Sequence, residues 1–306
     1  MGEGKPKQDI ALGMGLALLG FGSLSISDGF IKSLSGEWPG SAVAALRYSF
    51  GALGLGALLY WREGRDGFRF PMPGLQIARG AFVGFATLAF FSSIFLMPLA
   101  TATSIQFVSP MLTAIISALV LGEAATRKSW LATIFAFCGV LIVLRPSFSA
   151  LGWAAVLPLL AAFGLACLMI ANRKVASSGS VLLMQFLISA VGAVVLILAA
   201  IIGHLSGWEP MHISMPTIHV VLTCALCAGI ASCSHMWIYM ATLKASAARI
   251  APMVYVQLLV ATLIGMVFYA NPPDALTLLG ASIIIASGLW LWRSNLDQRE
   301  HREPGT

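Results

Sequence analysis

Residues 100–123 read ATATSIQFVSPMLTAIISALVLGE, from Ala100 to Glu123. No residue between Ala102 and Leu121 is charged, and a helix of about 20 such residues crosses a hydrocarbon core of ~30 Å. The run is not plain lipid filler, because Thr101, Thr103, Ser104, Gln106 and Ser109 crowd its first half and Pro110 sits near its middle. Polar groups in hydrocarbon are costly unless they face protein or water, so this face is expected to look into a bundle or cavity. Pro110 has no backbone N–H to donate, which predicts a kink. Residues 245–271, ASAARIAPMVYVQLLVATLIGMVFYAN, repeat the order: small and polar, then Pro252, then apolar to a polar stop.

Composition restricts the class. The chain is 58% hydrophobic and 10% charged, whereas soluble domains carry about 25% charged residues. The net charge of +6 reads by position, as basic residues between apolar spans that set topology rather than as a nucleic-acid surface. All five cysteines, Cys138, Cys167, Cys224, Cys227 and Cys233, fall inside apolar runs. Cys224 and Cys227 have zinc or redox spacing, but they lack a partner pair and a flanking turn, so buried small hydrophobes are expected, with no metal and no cofactor.

Lys5 and Lys7 precede an apolar run from Ile10 to about Ile31. It is longer than a signal-peptide core and no small-residue cleavage site follows, so it reads as a retained helix. Further spans are expected at 39–60, 77–97, 101–121, 128–145, 152–172, 180–203, 217–241, 247–270 and 275–292, ten in all. With the N-terminus cytoplasmic, the inner segments hold fifteen Lys and Arg residues, Arg79 and Arg127 among them, and the outer segments hold Lys32 and Arg145. That asymmetry predicts a multi-pass protein of the cell inner membrane with both termini cytoplasmic. Trp61, Trp130, Trp153, Trp208, Trp290 and Trp292 lie near expected span ends, as an aromatic belt requires.

An internal repeat accompanies the spans. Phe21-Gly22 and Lys32 match Phe163-Gly164 and Lys174 at constant offset; Leu46–Gly54 aligns with Met184–Gly192; Glu123 pairs with Asn271; and Gly139 pairs with Gly288 after one insertion. Each half holds five spans, an odd number, so the halves insert with opposite topology. Inverted repeats are typical of transporters that alternate access round a midplane site. The expected architecture is an all-α integral membrane protein of ten helices in two inverted five-helix repeats, residues 1–146 and 147–293, with a cytoplasmic tail at 294–306.

The sequence resembles the EamA-type members of the drug/metabolite transporter superfamily. The likeness rests on Lys32, Ala45-Leu46-Arg47-Tyr48, Leu99-Ala100 through Ser109-Pro110 to Leu121-Gly122-Glu123, and Gly139-Val140-Leu141. It continues in Ala247-Ala248-Arg249-Ile250-Ala251-Pro252 and Leu279-Gly280-Ala281. It implies helices 1–4 and 6–9 round a central cavity, helices 5 and 10 at the periphery, and passage of amino acids, nucleosides, riboflavin, S-adenosylmethionine or other metabolites. The chain departs from the family pattern where helix nine usually closes on Gly-Glu. Here it reads Ala270-Asn271-Pro272-Pro273-Asp274, which leaves any acidic role there to Asp274.

Within this frame the site candidates are few. Arg47 lies well inside the second span, where an arginine must pair inward; it anchors an anionic substrate group, or it pairs with Asp28 or with carbonyls. Asp28 and Lys32, at a span end, are coupling candidates, with snorkelling to the interface as the structural alternative. Gln106 and Gln257 are either substrate contacts or an interhelical amide bond. His235 and Tyr239, four residues apart, share a face; His235 is a coupling group or a neutral ring bonded to Ser232 or Ser234. Tyr255 and Phe91 offer a stacking wall, or core packing. Tyr255 and Gln257 are two apart and cannot share one narrow face, and Gln257 is favoured. Pro110 and Pro252 are gating candidates, while Gly51, Gly54, Gly56 and Gly280 with Ser287 read as close-packing surfaces. There is no His-Glu-x-x-His, phosphate-binding glycine loop or paired-aspartate motif, so an enzyme is the weakest reading and a channel or receptor the runner-up. The expected partners are a small-molecule substrate and the bilayer, not nucleic acid. Pairing with a second copy is left open, as are substrate identity, direction and coupling ion.

Overall fold

The computed structural model describes residues 4–121, 127–175, 178–244 and 251–300. Among these residues there are helices and turns and no strand. The helices are α1 (Gly4–Ser33), α2 (Gly40–Glu63), α3 (Pro73–Leu96), α4 (Leu99–Gln106), α5 (Ser109–Leu121), α6 (Arg127–Leu151), α7 (Leu157–Val175), α8 (Val181–Leu205), α9 (Ile218–Lys244), α10 (Val256–Tyr269) and α11 (Ala275–Glu300). Glu123, Arg249 and residues 301–306, on which parts of the repeat, the motif and the tail rest, lie outside the described residues.

Seven stretches among the described residues are long and apolar enough to cross a membrane: five within α1, α2, α3, α8 and α9, one from Gly152 to Asn172 that begins in a 3-10 turn before α7, and one from Leu99 to Ser117. Three shorter apolar helices, Ile134–Val143, Met253–Tyr269 and Ala275–Trp290, stand where the fifth, ninth and tenth spans are expected. The expectation of ten spans is thus met in seven by length. A 3-10 turn over Ala251–Tyr255 leads into α10.

The stretch that organises the sequence is broken rather than kinked. Phe107 ends α4, its N–H reaching the carbonyls of Thr103 and Ser104, and Val108 bonds back to Ile105. A new helix then starts at Ser109 with Pro110 in its first turn. A proline there removes an N–H that has no intrahelical partner anyway, and its fixed φ suits a helix start. The expected mid-helix kink at Pro110 is therefore corrected to a helix boundary. Proline also divides α3 from α4: Met97, before Pro98, is extended at φ −141° and ψ 166°, the conformation that a following ring favours.

The exterior is apolar, and several polar groups are turned inward beside the apolar core. Leu53, Leu119, Leu205, Leu259 and Phe268 are exposed, while Ser27, Ser41, Gln76, Arg79, Ser93 and Ser104 are buried. Polar groups turned inward and an apolar exterior fit a bilayer as solvent. Trp61, Trp130, Trp153 and Trp208 are exposed near helix ends.

The principal packing partners lie in opposite halves of the chain: α1 on α9, α2 on α8, α3 on α7 and α8, α2 on α9, α1 on α10, α4 on α10, α4 and α5 on α7, and α6 on α11. One core joins α1–α4 to α7–α10 through Ile31, Val43, Phe91, Ile94, Leu99, Leu196 and Cys224. A second joins α4 and α5 to α6, α10 and α11 through Ile105, Met111, Val140, Leu258 and Ile284. The α6–α11 seam closes on glycine, since a Cβ on Gly139 would strike the Gly280 carbonyl and one on Gly280 that of Gly139. This is the small-residue packing expected of Gly280. Gly56 likewise sits against Phe186, whereas Gly51 and Gly54 meet little.

Candidate functional site

α2 carries Arg47 and Tyr48 inward. The Arg47 guanidinium carbon lies 4.7 Å from the centre of the Tyr48 ring and 5.0 Å from that of Phe91 on α3, within cation–π range. A 2.9 Å hydrogen bond joins the Tyr48 hydroxyl to the Thr87 hydroxyl, also on α3, which holds the ring in place. Phe91 is only 2% exposed, so this wall is fixed by packing.

The polar groups round Arg47 are not joined to it. Its Nε is buried with no hydrogen-bond partner, and it forms no ion pair among the described residues. The expected pairing with Asp28 or with carbonyls is not made. Asp28 on α1 and His235 on α9 nevertheless lie within electrostatic reach of Arg47, as do Cys224 and Cys227. The half-buried Asp28 carboxylate accepts no hydrogen bond within the described residues. His235 is accessible, and the serine partner expected for it is absent, because the Ser232 and Ser234 hydroxyls donate to Ala228 and Ile230 of their own helix. The Tyr239 side chain lies outside what is described.

The Cys224–Cys227 pair packs as a seam. Cys224 Sγ donates to the Val43 carbonyl at 3.8 Å, and Cys227 Sγ to the Ser27 carbonyl at 3.5 Å. Both cysteines are buried and free, and no group of potential metal ligands occurs among the described residues.

Lys32 does not snorkel. It is 9% exposed and its Nζ donates to the Ile94 carbonyl at 2.6 Å and the Met97 carbonyl at 2.9 Å. Those are carbonyls at the end of α3, which has no further helical N–H to bond them, so the cation caps the helix where its dipole is negative. The Tyr269 ring lies 5.4 Å from Nζ, and the Tyr269 hydroxyl donates to the Gly29 carbonyl at 2.7 Å.

Gln106 and Gln257 are half-buried, and neither side-chain amide has a hydrogen-bond partner among the described residues. The interhelical amide bond is therefore absent. Gln257 is on the α1 side of α10, its backbone carbonyl accepting from the Ser25 hydroxyl at 2.9 Å. Tyr255 turns the other way, with its ring edge-on to Phe107 at 5.4 Å and its hydroxyl against Gly288 of α11. Tyr255 thus belongs to the second core and apart from Arg47. Pro252 stands in the 3-10 turn before α10.

Sequence reasoning missed Tyr48 and Thr87 as the partners that fix the Arg47 wall. The signal was present in Arg47-Tyr48, a cation beside an aromatic ring inside one span. It also placed Arg79 among cytoplasmic charges. Arg79 is 5% exposed within α3, its Nε donating to Asn172 Oδ1 at 2.7 Å and one Nη reaching Gln76 Oε1 and Met184 Sδ. Asp274 is settled too: its carboxylate accepts from the Thr277 N–H at 2.8 Å at the start of α11. The Thr277 hydroxyl beside it holds the carboxyl below its usual range, as for a helix cap.

Residues 11–145 match the EamA-like transporter family. The chain is 27% identical over 281 residues to an S-adenosylmethionine uptake transporter of Rickettsia bellii (strain RML369-C), covering 92% of this chain and 93% of that one. It is 24% identical to a riboflavin transporter of Rhizobium johnstonii, with 96% and 93% covered. A pseudopaline exporter of Pseudomonas aeruginosa is 25% identical, with 92% and 96% covered. A crystal structure superposes with a TM-score of 0.57 over 94% of this chain and 97% of its own, at 20% identity, a likeness of fold.

Proposed function

We propose that this chain, whose residues 11–145 match the EamA-like transporter family, carries a small polar or planar metabolite across the inner membrane by alternating access, with Arg47 in its site. The observation that carries this reading is Arg47 itself. A cation held inside a helical bundle against two rings, with no protein anion closed onto it, is a functional group by default. The named relatives are all transporters, which supports a carrier over an enzyme.

The proposed frame is ten spans in two inverted halves with both termini cytoplasmic. Its support is the packing: exchanging the first five spans with the last five maps the main contacts between halves onto one another. The α1–α9 contact exchanges with α7–α3, α2–α9 with α8–α3, and α1–α10 with α7–α4 and α7–α5, while α2–α8 and α6–α11 map onto themselves. That is the pattern of a pseudo-two-fold axis. Single cysteines in a cysteine-free background test the orientation. A membrane-impermeant thiol reagent on intact cells is expected to label positions 145 and 271 and to spare 127. Labelling at 127 sinks the ten-span frame.

The function is tested by reconstitution. Proteoliposomes preloaded with unlabelled S-adenosylmethionine, riboflavin or an amino acid are expected to accumulate the same labelled compound by counterflow, saturably. A channel shows neither saturation nor counterflow.

A further inference from the structure

Resting on the transport reading, we infer that residues 29–38 form a clasp that holds one end of the bundle shut and opens during each transport cycle, with Lys32 as its pin.

The segment takes the chain from the last turns of α1 to the start of α2. Gly36, at φ +85°, supplies the left-handed residue in the reversal. Leu34 is fully buried in the core shared by α1–α4 and α7–α10. From this seat the segment bonds four other elements. Lys32 Nζ donates to the Ile94 and Met97 carbonyls at the end of α3, at 2.6 and 2.9 Å, and the Ser35 hydroxyl donates to the Phe95 carbonyl at 3.1 Å. Trp38 Nε1 donates to the Ser214 carbonyl, between α8 and α9, at 2.9 Å. Glu37 Oε2 lies 3.1 Å from His219 Nδ1 in the first turn of α9. The Gly29 carbonyl accepts from the hydroxyl of Tyr269, the last residue of α10, at 2.7 Å.

These contacts have the character of a fastening that opens rather than of a fixed seam. Lys32 and Ser35 fix the segment to α3, in its own half of the chain, while Gly29, Glu37 and Trp38 reach across to the other half. Parting the halves at this end therefore breaks the second set and leaves the first as the anchor. Except for Glu37, every acceptor is a main-chain carbonyl close to a helix end or in a connection. Water takes the place of the protein donor at such a carbonyl on opening, and a hydrogen bond exchanged for water changes the free energy little. The Trp38 and Glu37 contacts are already exposed, and an exposed ion pair holds weakly. Lys32 differs: it is buried, and the Tyr269 ring of the other half stands 5.4 Å from its Nζ, so it holds both sides of the closure. Cys224, fully buried in the same core cluster as Ile31 and Leu34, reports from beneath the clasp.

The test uses the purified full-length protein with Cys138, Cys167, Cys227 and Cys233 replaced by alanine, so that Cys224 is the sole thiol. Its labelling by a polar methanethiosulfonate is followed well below the melting transition. Lys32→Met is expected to raise the labelling rate by about tenfold, as loss of the two carbonyl bonds favours local opening. Arg79→Leu, at the opposite end of α3, loosens the fold elsewhere and is expected to leave Cys224 protected. Protection unchanged in Lys32→Met, or an equal rise in Arg79→Leu, overturns the clasp. If Lys32→Met does not melt cooperatively, Trp38→Phe, which gives up one exposed bond, takes its place under the same criterion. Opening itself is tested with Glu37→Cys and His219→Cys in a background that also carries Cys224→Ala, joined by a short bis-methanethiosulfonate. Counterflow of whichever of S-adenosylmethionine, riboflavin and L-methionine the parent exchanges is expected to fall by about tenfold or more on linking and to return on reduction. Full-rate exchange by the linked protein overturns the clasp and leaves the transport reading standing. Exchange of none of the three by the parent overturns the transport reading and, with it, a clasp that opens in a cycle.

Discussion

Arg79 and Arg47 occupy adjacent helices and face opposite chemistry. The Arg79 guanidinium bonds Asn172 of α7 and Gln76 of its own helix, and touches the Met184 sulfur of α8. Arg47 has rings over its plane and no bonded partner. Both are cations drawn out of water, which is unfavourable without compensation. At Arg79 the compensation is complete within the protein and ties α3 to α7. At Arg47 it is partial, because rings cover the plane and no hydrogen bond closes on the nitrogens. An intramembrane cation thus reads as structural or functional by whether its hydrogen bonds are closed.

The largest effect that sharpens this contrast belongs to Arg79→Leu. It strands Gln76 and Asn172 and removes charge-assisted bonds worth about 1.5–3 kcal/mol each, so a melting temperature in detergent well below the parent's is expected. A variant that melts like the parent breaks the comparison. Next comes Arg47→Lys, which keeps the charge and loses the planar fork and the stacking. Its melting temperature is expected close to the parent's, and its transport is expected to fall by about tenfold, equivalent to ~1.4 kcal/mol. A fall in stability with transport intact would reverse the roles of the two arginines.

Gln257→Ala is expected to weaken substrate binding by about 1–3 kcal/mol if its unpartnered amide bonds the substrate. Gln106→Ala serves as the paired measurement, and normal binding in both removes the amides from the site. The smallest effect is expected of Pro110→Ala. Proline in a first turn replaces no bonded N–H, so stability should move by less than about 1 kcal/mol. If the α4–α5 break flexes during transport, the rate changes more than the affinity, and an unchanged rate makes Pro110 structural only.

Much of the frame was legible in residues. The apolar lengths gave seven of the ten expected span positions to within a few residues, and the crowding of Thr101, Thr103 and Ser104 foretold a face turned inward, where all three are buried. Arg47 stood out because an arginine inside a span has few bland explanations. Arg79 did not, because it lies near a span end, where sequence alone reads a charge as belonging to the loop. Lys32 was misread for the same reason, since a position at a helix end looks like a snorkelling site until a neighbouring helix ends beside it and offers its carbonyls.

The sequence by itself determined the membrane class, the helical content and the inventory of polar groups in the spans, because lipid acts on each span through its own summed hydropathy and unsatisfied backbone. Tertiary structure decided which of those groups are finished and which remain open. Tyr255 and Gln257 differ by two positions, yet one faces Gly288 and the other lies beside Ser25. Arg79 meets Asn172 and Met184 across more than ninety residues of chain. Hydrogen bonding and ring stacking depend on what stands within a few ångströms, and in this bundle those neighbours come from other helices, distant in the chain for Arg79 and nearer for Arg47 and Lys32.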